Sequence, residues 1–172
     1  MKPFLYCPSC STRLEERDSE GAARCPHCGR MWYENAAPTV GAGIVRDGRA
    51  LVTRRAFDPE KGRFDVPGGF LHADEHPVDG LKREVAEELG VEVEVSTEDL
   101  VVFAPHRYGA DGNWNLALGF VTRLVSGEPT PADDVAELLW VTRAELQDLD
   151  FAWAHDRELL LRAFERADQA AG

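Results

Sequence analysis

The segment from Gly68 to Val91 reads GGFLHADEHPVDGLKREVAEELGV, and its pattern decides the fold. It predicts a glycine loop followed by a helix, because Pro77 suits the first helical turn and Gly90 suits the position after the last one. At about 3.6 residues per turn, one face of this helix is apolar and the neighbouring face is acidic. The apolar stripe comprises Val78, Leu81, Val85 and Leu89, and the acidic patch comprises Glu84, Glu87 and Glu88.

Three carboxylates on one helical face repel one another, since like charges at positions i and i+4 destabilise a helix by roughly 0.2–0.5 kcal/mol. One interpretation is a solvated acidic surface, which is common on helices. The other is a cation site, where a set of oxygen donors favours Mg²⁺ or Mn²⁺ over Zn²⁺. Arg83 lies four residues before Glu87 and is placed to orient a carboxylate at the edge of the patch. The spacing alone leaves both interpretations open.

Position by position, the segment resembles the Nudix box of the Nudix hydrolases: Gly, five residues, Glu, seven residues, then Arg-Glu-aliphatic-x-Glu-Glu-x-Gly-aliphatic. The resemblance implies an α/β fold, the Nudix α/β/α sandwich with a mixed sheet, over residues 38–172. It also implies that the acidic patch binds Mg²⁺ or Mn²⁺ with help from the backbone carbonyl of Gly68. The residues that match the box are Gly69, Glu75, Arg83, Glu84, Val85, Glu87, Glu88, Gly90 and Val91.

The resemblance also implies further roles. Arg83 and Glu75 would hold the loop against the helix. Nudix enzymes take their general base from the box or from a later loop, and Asp133, Asp134 and Glu137 are the acidic candidates before the last predicted strand. The alternative for these three residues is a solvated acidic loop.

The cysteine pattern of residues 1–34 predicts a small zinc ribbon. All four cysteines fall in two Cys-x-x-Cys pairs, a spacing that directs the sulfur atoms of both pairs at one tetrahedral ion. Four thiolates complete the shell of a structural Zn²⁺, although a redox pair and iron remain open. The segment resembles the ribbon ahead of some Nudix domains, notably in the NADH pyrophosphatase group. The cysteines are Cys7, Cys10, Cys25 and Cys28.

The remaining pattern predicts strands separated by short turns, with helices after the box and at the end of the chain. Asp47-Gly48 is a typical two-residue hairpin turn. A polar loop is expected over residues 105–113, and Thr142 with Glu145 forms a capping box for a short helix. The expected strands cover residues 39–46, 49–56, 64–67, 91–95, 100–103, 114–125 and 136–141, and the final helix covers residues 152–167.

Residues that choose the substrate should lie outside the box. Aromatic faces can stack a nucleobase, and the polar loop after the box can face the cleft. Two adjacent arginines on one strand point to opposite faces, so one of them can reach the cleft. Each aromatic residue is also compatible with plain packing. The candidates are Arg54, Arg55, Phe57, His106, Arg107, Tyr108 and Trp114.

One departure from the NADH pyrophosphatase group bears on function. That group carries a Ser-Gln-Pro-Trp-Pro-Phe-Pro array, where this chain has Phe103-Ala-Pro-His-Arg-Tyr108. Specificity for NADH therefore does not transfer from that group with the ribbon. The resemblance of the box implies a pyrophosphohydrolase acting on a nucleoside diphosphate linked to another moiety, with ADP-ribose or a dinucleotide cofactor such as NADH or FAD as substrate. The alternatives are a nucleotide-sensing regulatory protein without catalysis and an enzyme that removes a nucleotide cap from RNA.

Composition limits the partners. The chain has 172 residues and a net charge of −12 with a pI near 4.8, which argues against a broad nucleic-acid surface. The sequence contains no run of about 18 apolar residues, so it predicts no membrane span. Paired cysteines and the absence of an apolar leader pattern favour the cytoplasm. A small nucleotide is the expected partner, and a homodimer is one option for the assembly.

Overall fold

The computed structural model describes residues 5–109 and 112–171. Parts of the predicted ribbon, loop and Nudix domain at residues 1–4, 110–111 and 172 lie outside the described residues. The ribbon contains two short antiparallel strands, β1 (Ala22–Arg24) and β2 (Met31–Tyr33). The proposed division of the chain between residues 34 and 38 remains a prediction.

The main sheet is mixed, as predicted. The elements that form and cover it are β3 (Ala37–Arg46), β4 (Arg49–Arg55), β5 (Phe64–Asp65), β6 (Gly68–Phe70), α1 (Pro77–Leu89), β7 (Glu92–Glu94), β8 (Leu100–Arg107), β9 (Trp114–Ser126), β10 (Val135–Val141) and α2 (Ala154–Ala171). The central strands follow the order β10-β4-β3-β9-β7, and β5, β6 and β8 pair with β4, β3 and β9. Strands β3 and β9 run parallel and the other pairs run antiparallel.

The two helices cover opposite faces of this sheet. Leu51 of β4 packs into the cluster that contains α1, whereas its neighbour Val52 packs into the cluster that contains α2. Successive side chains of a strand point to opposite faces, so a buried strand contributes side chains to both hydrophobic clusters. The predicted α/β/α sandwich is confirmed.

Helix α1 is the element that the box predicts. Its four stripe residues are buried, and Gly90 adopts the left-handed conformation at φ 66° while donating its N–H to the Ala86 carbonyl at 3.0 Å. At the other end, Nδ1 of His76 accepts the N–H of Val78 at 3.3 Å. Glycine is favoured at the C-terminal position because it pays no steric penalty there.

The prediction of a loop over residues 105–113 is wrong for its first three residues, which belong to strand β8. Strand β8 continues to Arg107, and Pro105, His106 and Arg107 pair with Leu116, Asn115 and Trp114 of β9. Because β8 pairs only with β9 in the described sheet, it is an edge strand, where proline is tolerated. His106 and Arg107 are therefore held by a strand.

Other boundaries also differ from the predictions. Strand β6 occupies the start of the predicted glycine loop, and β3 begins at Ala37, two residues before the strand predicted over residues 39–46. The capping box forms, since Oε2 of Glu145 accepts the Thr142 N–H at 2.7 Å, but it precedes only a 3-10 turn at Glu145–Gln147. Within the described residues, no helix combines the length and apolarity needed to cross a membrane.

Gly68 allows β6 to reach β3. Its φ is +148°, and a Cβ added there would lie 2.0 Å from the carbonyl oxygen of Val40. We expect Gly68→Ala to lower the free energy of unfolding in urea by about 2–3 kcal/mol or more, because overpacking and backbone strain add. The control is Gly48→Ala, where φ is +71° but nothing lies within 4 Å. The free energy of unfolding of this variant should fall by about 1 kcal/mol. Equal losses in the two variants would contradict the close approach.

Candidate active site

The four ribbon cysteines converge as predicted. Their sulfur atoms all lie within 4.8 Å of one another, with 3.7 Å between Cys7 and Cys28 and 3.5 Å between Cys10 and Cys25. A tetrahedron with Zn–S bonds of about 2.3 Å has edges of about 3.8 Å, so the spacing fits a Zn²⁺ ion with four thiolate ligands. The cluster leaves no coordination position for water, which fits a structural role.

This cluster predicts one zinc ion per chain. We expect Cys25→Ser to abolish stoichiometric zinc, measured by inductively coupled plasma mass spectrometry, and to collapse the amide signals of the ribbon in two-dimensional NMR. The control is His27→Ala, because His27 is exposed within the same knuckle. That variant should keep its zinc. Zinc retained in the cysteine variant would overturn the assignment.

At the box, Arg83 joins the loop to α1. Its Nε and Nη2 donate to the two oxygens of Glu75, both at 2.8 Å, and Nη2 also donates to the Phe70 carbonyl at 3.2 Å. Two parallel hydrogen bonds fix the orientation of both groups. Hydrogen bonding from Arg83 lowers the pKa of Glu75 to about 2. We call this arrangement the Arg83–Glu75 clamp.

The three glutamates of the acidic patch have different surroundings. Nη1 of Arg83 donates to Glu84 at 2.9 Å and to Glu87 at 3.1 Å, whereas Glu88 accepts the Gly68 N–H at 2.9 Å. Glu88 is 5% exposed, and the side chain of Glu87 is 53% exposed. Among the described residues, the carboxylate oxygens of these three glutamates do not form a group that lies within 4.8 Å of one another. Arg83 binds two of the carboxylates, and the Gly68 N–H binds the third.

The surroundings of the patch favour a cation. Burial raises the pKa of Glu84, and repulsion from Glu87 and Asp134 adds to it. Burial raises the pKa of Glu88 well above its ordinary value, and the charges of Asp134, Asp65 and Glu84 act in the same direction. A divalent cation would relieve this repulsion. An oxygen-only donor set fits Mg²⁺ or Mn²⁺, with Glu84, Glu87 and Glu88 as the residues that would hold it.

A cleft of about 310 Å³ opens beside the patch. Glu84, Glu88 and Gly68 line it, so the box faces a cavity of the size of a small-molecule site. Two of the three candidate bases, Asp133 and Asp134, line it as well. The third candidate, Glu137, does not, and its Oε2 accepts from Nε of Arg54 at 2.8 Å.

The substrate candidates are divided between the cleft and the outside. Arg55, His106 and Tyr108 line the cleft. Arg55 is therefore the arginine that reaches it, and its Nη1 donates to Asp65 at 2.7 Å. The remaining candidates do not line it: Arg54 lies over the Phe64 ring, Phe57 is 62% exposed, and Arg107 stacks on the exposed ring of Trp114.

Sequence reasoning missed several residues of the cleft, among them Asp65, Asn115, Trp153, His155 and Asp156. Trp153 immediately precedes α2, and His155 and Asp156 lie at its start, a segment that the pattern identified only as a closing helix. One signal was available in the sequence, because Asn115 is a polar residue in a largely apolar strand. In the structure Asn115 is 1% exposed. A buried amide in a strand indicates a specific polar partner.

Comparison with known proteins places this geometry in a family. The model of the NUDIX domain matches residues 36–163. The chain belongs to the Nudix family. Its fold also resembles a Nudix hydrolase from Nitrosomonas europaea, with a TM-score of 0.76 at 23% identity over 96% of this chain and 93% of that one.

Two curated relatives of the Nudix chain differ in activity. This chain is 34% identical over 137 residues to the NAD-capped RNA hydrolase NudC of Pseudomonas aeruginosa, and the match covers 77% of this chain and 45% of that protein. It is 42% identical over 117 residues to the "Putative 8-oxo-dGTP diphosphatase 2" of Mycobacterium tuberculosis, covering 65% of this chain and 77% of that protein. The chain thus spans about half the length of the NudC relatives.

Proposed function

We propose that this Nudix protein is a pyrophosphohydrolase that requires Mg²⁺ or Mn²⁺ and cleaves a nucleoside diphosphate linked to another moiety. The observation that carries the proposal is the complete box, with its Arg83–Glu75 clamp formed, beside a cleft that Asp133 and Asp134 also line. A cleft lined by both carboxylates and aromatic residues suits a nucleotide, which carries charged phosphates and a flat base.

The residues divide the reaction between them. A bound divalent ion neutralises phosphate oxygens and lowers the pKa of the attacking water. Glu84, Glu87 and Glu88 would hold that ion beside the scissile bond. Asp134 is the stronger candidate base, because it lies close enough for its charge to raise the pKa of both Glu84 and Glu88. Glu137 is the weaker one, since Arg54 engages it.

ADP-ribose and dinucleotide cofactors such as NADH or FAD form the proposed substrate class. Each joins two groups through a diphosphate, so hydrolysis would release a nucleoside monophosphate. The cytoplasm is the proposed location, because a thiolate zinc cluster is favoured in a reducing compartment. A homodimer is the proposed assembly option, to be checked by light scattering.

Removal of an NAD cap from RNA is the second candidate, favoured by the similarity to NudC. The net charge of −12 opposes broad contact with an RNA backbone, so recognition would be confined to the capped end. A nucleotide sensor is a weaker third option, since sensing alone does not require the intact carboxylate set. Binding of a substrate without turnover would favour the sensor.

The catalytic proposal predicts the effect of a single neutral replacement. With Mg²⁺ or Mn²⁺, Glu87→Gln should lower kcat by about 10²- to 10³-fold, because one charged ion ligand is lost at the reacting phosphates. Turnover is measured by chromatographic release of the nucleoside monophosphate from ADP-ribose, NADH, FAD and NAD-capped RNA.

The control for this experiment is Glu98→Gln, in the 3-10 turn before β8 and outside the cleft lining. It should retain the rate of the natural protein. Equal rates for Glu87→Gln and the natural protein would reject the proposed role of the box.

A further inference from the structure

Arg55 connects four separate parts of the chain at the edge of the cleft. Each nitrogen atom of its guanidinium group donates a hydrogen bond: Nε to the Pro59 carbonyl at 2.8 Å, Nη1 to Asp65 at 2.7 Å, and Nη2 to the Tyr108 hydroxyl at 3.2 Å. The guanidinium carbon also lies 4.9 Å from the centre of the Trp153 ring. The side chain of Arg55 is only 11% exposed, so these contacts hold its planar group in one orientation.

Asp65 stands three residues before Gly68, where the chain enters the box. Its Oδ2 accepts from Arg55 and its Oδ1 accepts the Val66 N–H, each at 2.7 Å, so both oxygens of the carboxylate are engaged. A charged hydrogen bond to a planar guanidinium fixes the direction of a carboxylate as well as its position. Arg55 therefore sets the orientation of Asp65, and Asp65 holds the backbone at Val66.

The segment from Asp65 to Gly68 has little freedom to absorb a change. Pro67 is fully buried with its φ fixed by the ring, and its carbonyl accepts the Ala42 N–H at 2.8 Å. Gly68 then donates its N–H to Oε2 of Glu88 at 2.9 Å. Because packed interiors transmit strain, a displacement of Asp65 reaches Gly68 and Glu88.

A second, smaller cavity shows how close the ion pair lies to the acidic patch. Its volume is about 10 Å³, roughly the space of one water, and its lining includes Arg55, Asp65, Gly68, Glu88 and Asp134. Burial raises the pKa of Glu88 well above its ordinary value, and the charges of Asp134 and Asp65 add to this effect. The positive charge of Arg55 offsets one of these acids beside the ion site.

We propose that Arg55 is a positioning residue for the site that binds the divalent ion. It orients Asp65, which holds the backbone leading to Gly68, and Gly68 in turn holds Glu88. Arg55 itself contacts neither the ion nor the substrate, because each of its nitrogen atoms already donates to the protein. The proposal rests on the proposed function for the role of Glu88 as an ion ligand.

The substitution Arg55→Lys tests this role, because lysine keeps the positive charge but lacks the planar fork that donates in three directions. We expect the dissociation constant for Mn²⁺, measured by electron paramagnetic resonance without substrate, to rise about tenfold, as it does when a group that orients metal ligands is lost. The matched control is Arg157→Lys, outside the cleft lining, where an arginine also donates to two carbonyls and lies 5.4 Å from the Phe151 ring. It should bind Mn²⁺ as the natural protein does.

Amide hydrogen exchange in the protein without metal tests the proposed path. In Arg55→Lys the Gly68 amide should exchange about tenfold faster, because its hydrogen bond to Glu88 opens more often. The Gly90 amide, which donates to the Ala86 carbonyl at the end of α1, should keep its rate. Equal acceleration of both amides would show a general loss of stability and reject a positioning role.

A second variant tests whether Arg55 acts through Asp65. Asp65→Asn keeps the shape of the side chain but removes its charge, and it should also accelerate exchange of the Gly68 amide. When Arg55→Lys is added to Asp65→Asn, the Mn²⁺ dissociation constant should change by less than about twofold, since the effects of residues on one path are not additive. A further rise of about tenfold would show that Arg55 acts by another route and would overturn the proposal.

Direct contact between Arg55 and the substrate predicts a different result. If Arg55→Lys raises KM for ADP-ribose while the Mn²⁺ affinity and the Gly68 exchange rate keep their natural values, Arg55 binds the diphosphate and the positioning proposal is wrong. The proposed function is tested separately, because neither the Mn²⁺ affinity nor the exchange rate requires turnover. A natural protein that binds Mn²⁺ but hydrolyses no substrate would reject the proposed function, and these two measurements would still decide the role of Arg55.

Discussion

The Arg83–Glu75 clamp is the interaction on which the active site depends. It connects the loop after β6 to the middle of α1, and it does so with two parallel hydrogen bonds of 2.8 Å. Gly80 leaves room for the loop beside the helix. A Cβ there would lie 2.3 Å from Cδ2 of Leu71 and 2.9 Å from Oε2 of Glu75, so both side chains would have to move. Clamp and glycine together set the distance between the loop and the carboxylates.

The clamp also organises charge along the cleft. Because Glu75 engages one side of the Arg83 guanidinium, Nη1 is left to Glu84 and Glu87, the two glutamates that a cation would recruit. Glu88 is held separately by the Gly68 N–H. The result is an acidic site that favours a divalent ion, in a cleft where Arg55 and Asp65 form an ion pair.

The parts of this structure that could be predicted from the sequence are the local ones. Helix α1 and the Asp47-Gly48 turn follow from patterns within a few residues, and both formed as expected, with positive φ at both turn residues. The choice of Arg55 over Arg54 could not be made, because it depends on which face of β4 meets the cleft. The cleft residues His106, Asn115 and Asp156 come from β8, β9 and α2, elements far apart in sequence. Only their packing reveals that Asn115 and Asp156 share one cavity.

The most direct test of this account is the affinity for Mn²⁺, measured by electron paramagnetic resonance, in Glu75→Gln. Without the charge of Glu75, Arg83 would bind Glu84 and Glu87 more tightly and compete with the ion. The account predicts a dissociation constant raised about 10- to 100-fold with the fold intact, the usual effect of losing a residue that orients metal ligands. The control is Glu158→Gln on the exposed face of α2, which should bind Mn²⁺ as the natural protein does. An unchanged affinity in Glu75→Gln would contradict the role of the clamp.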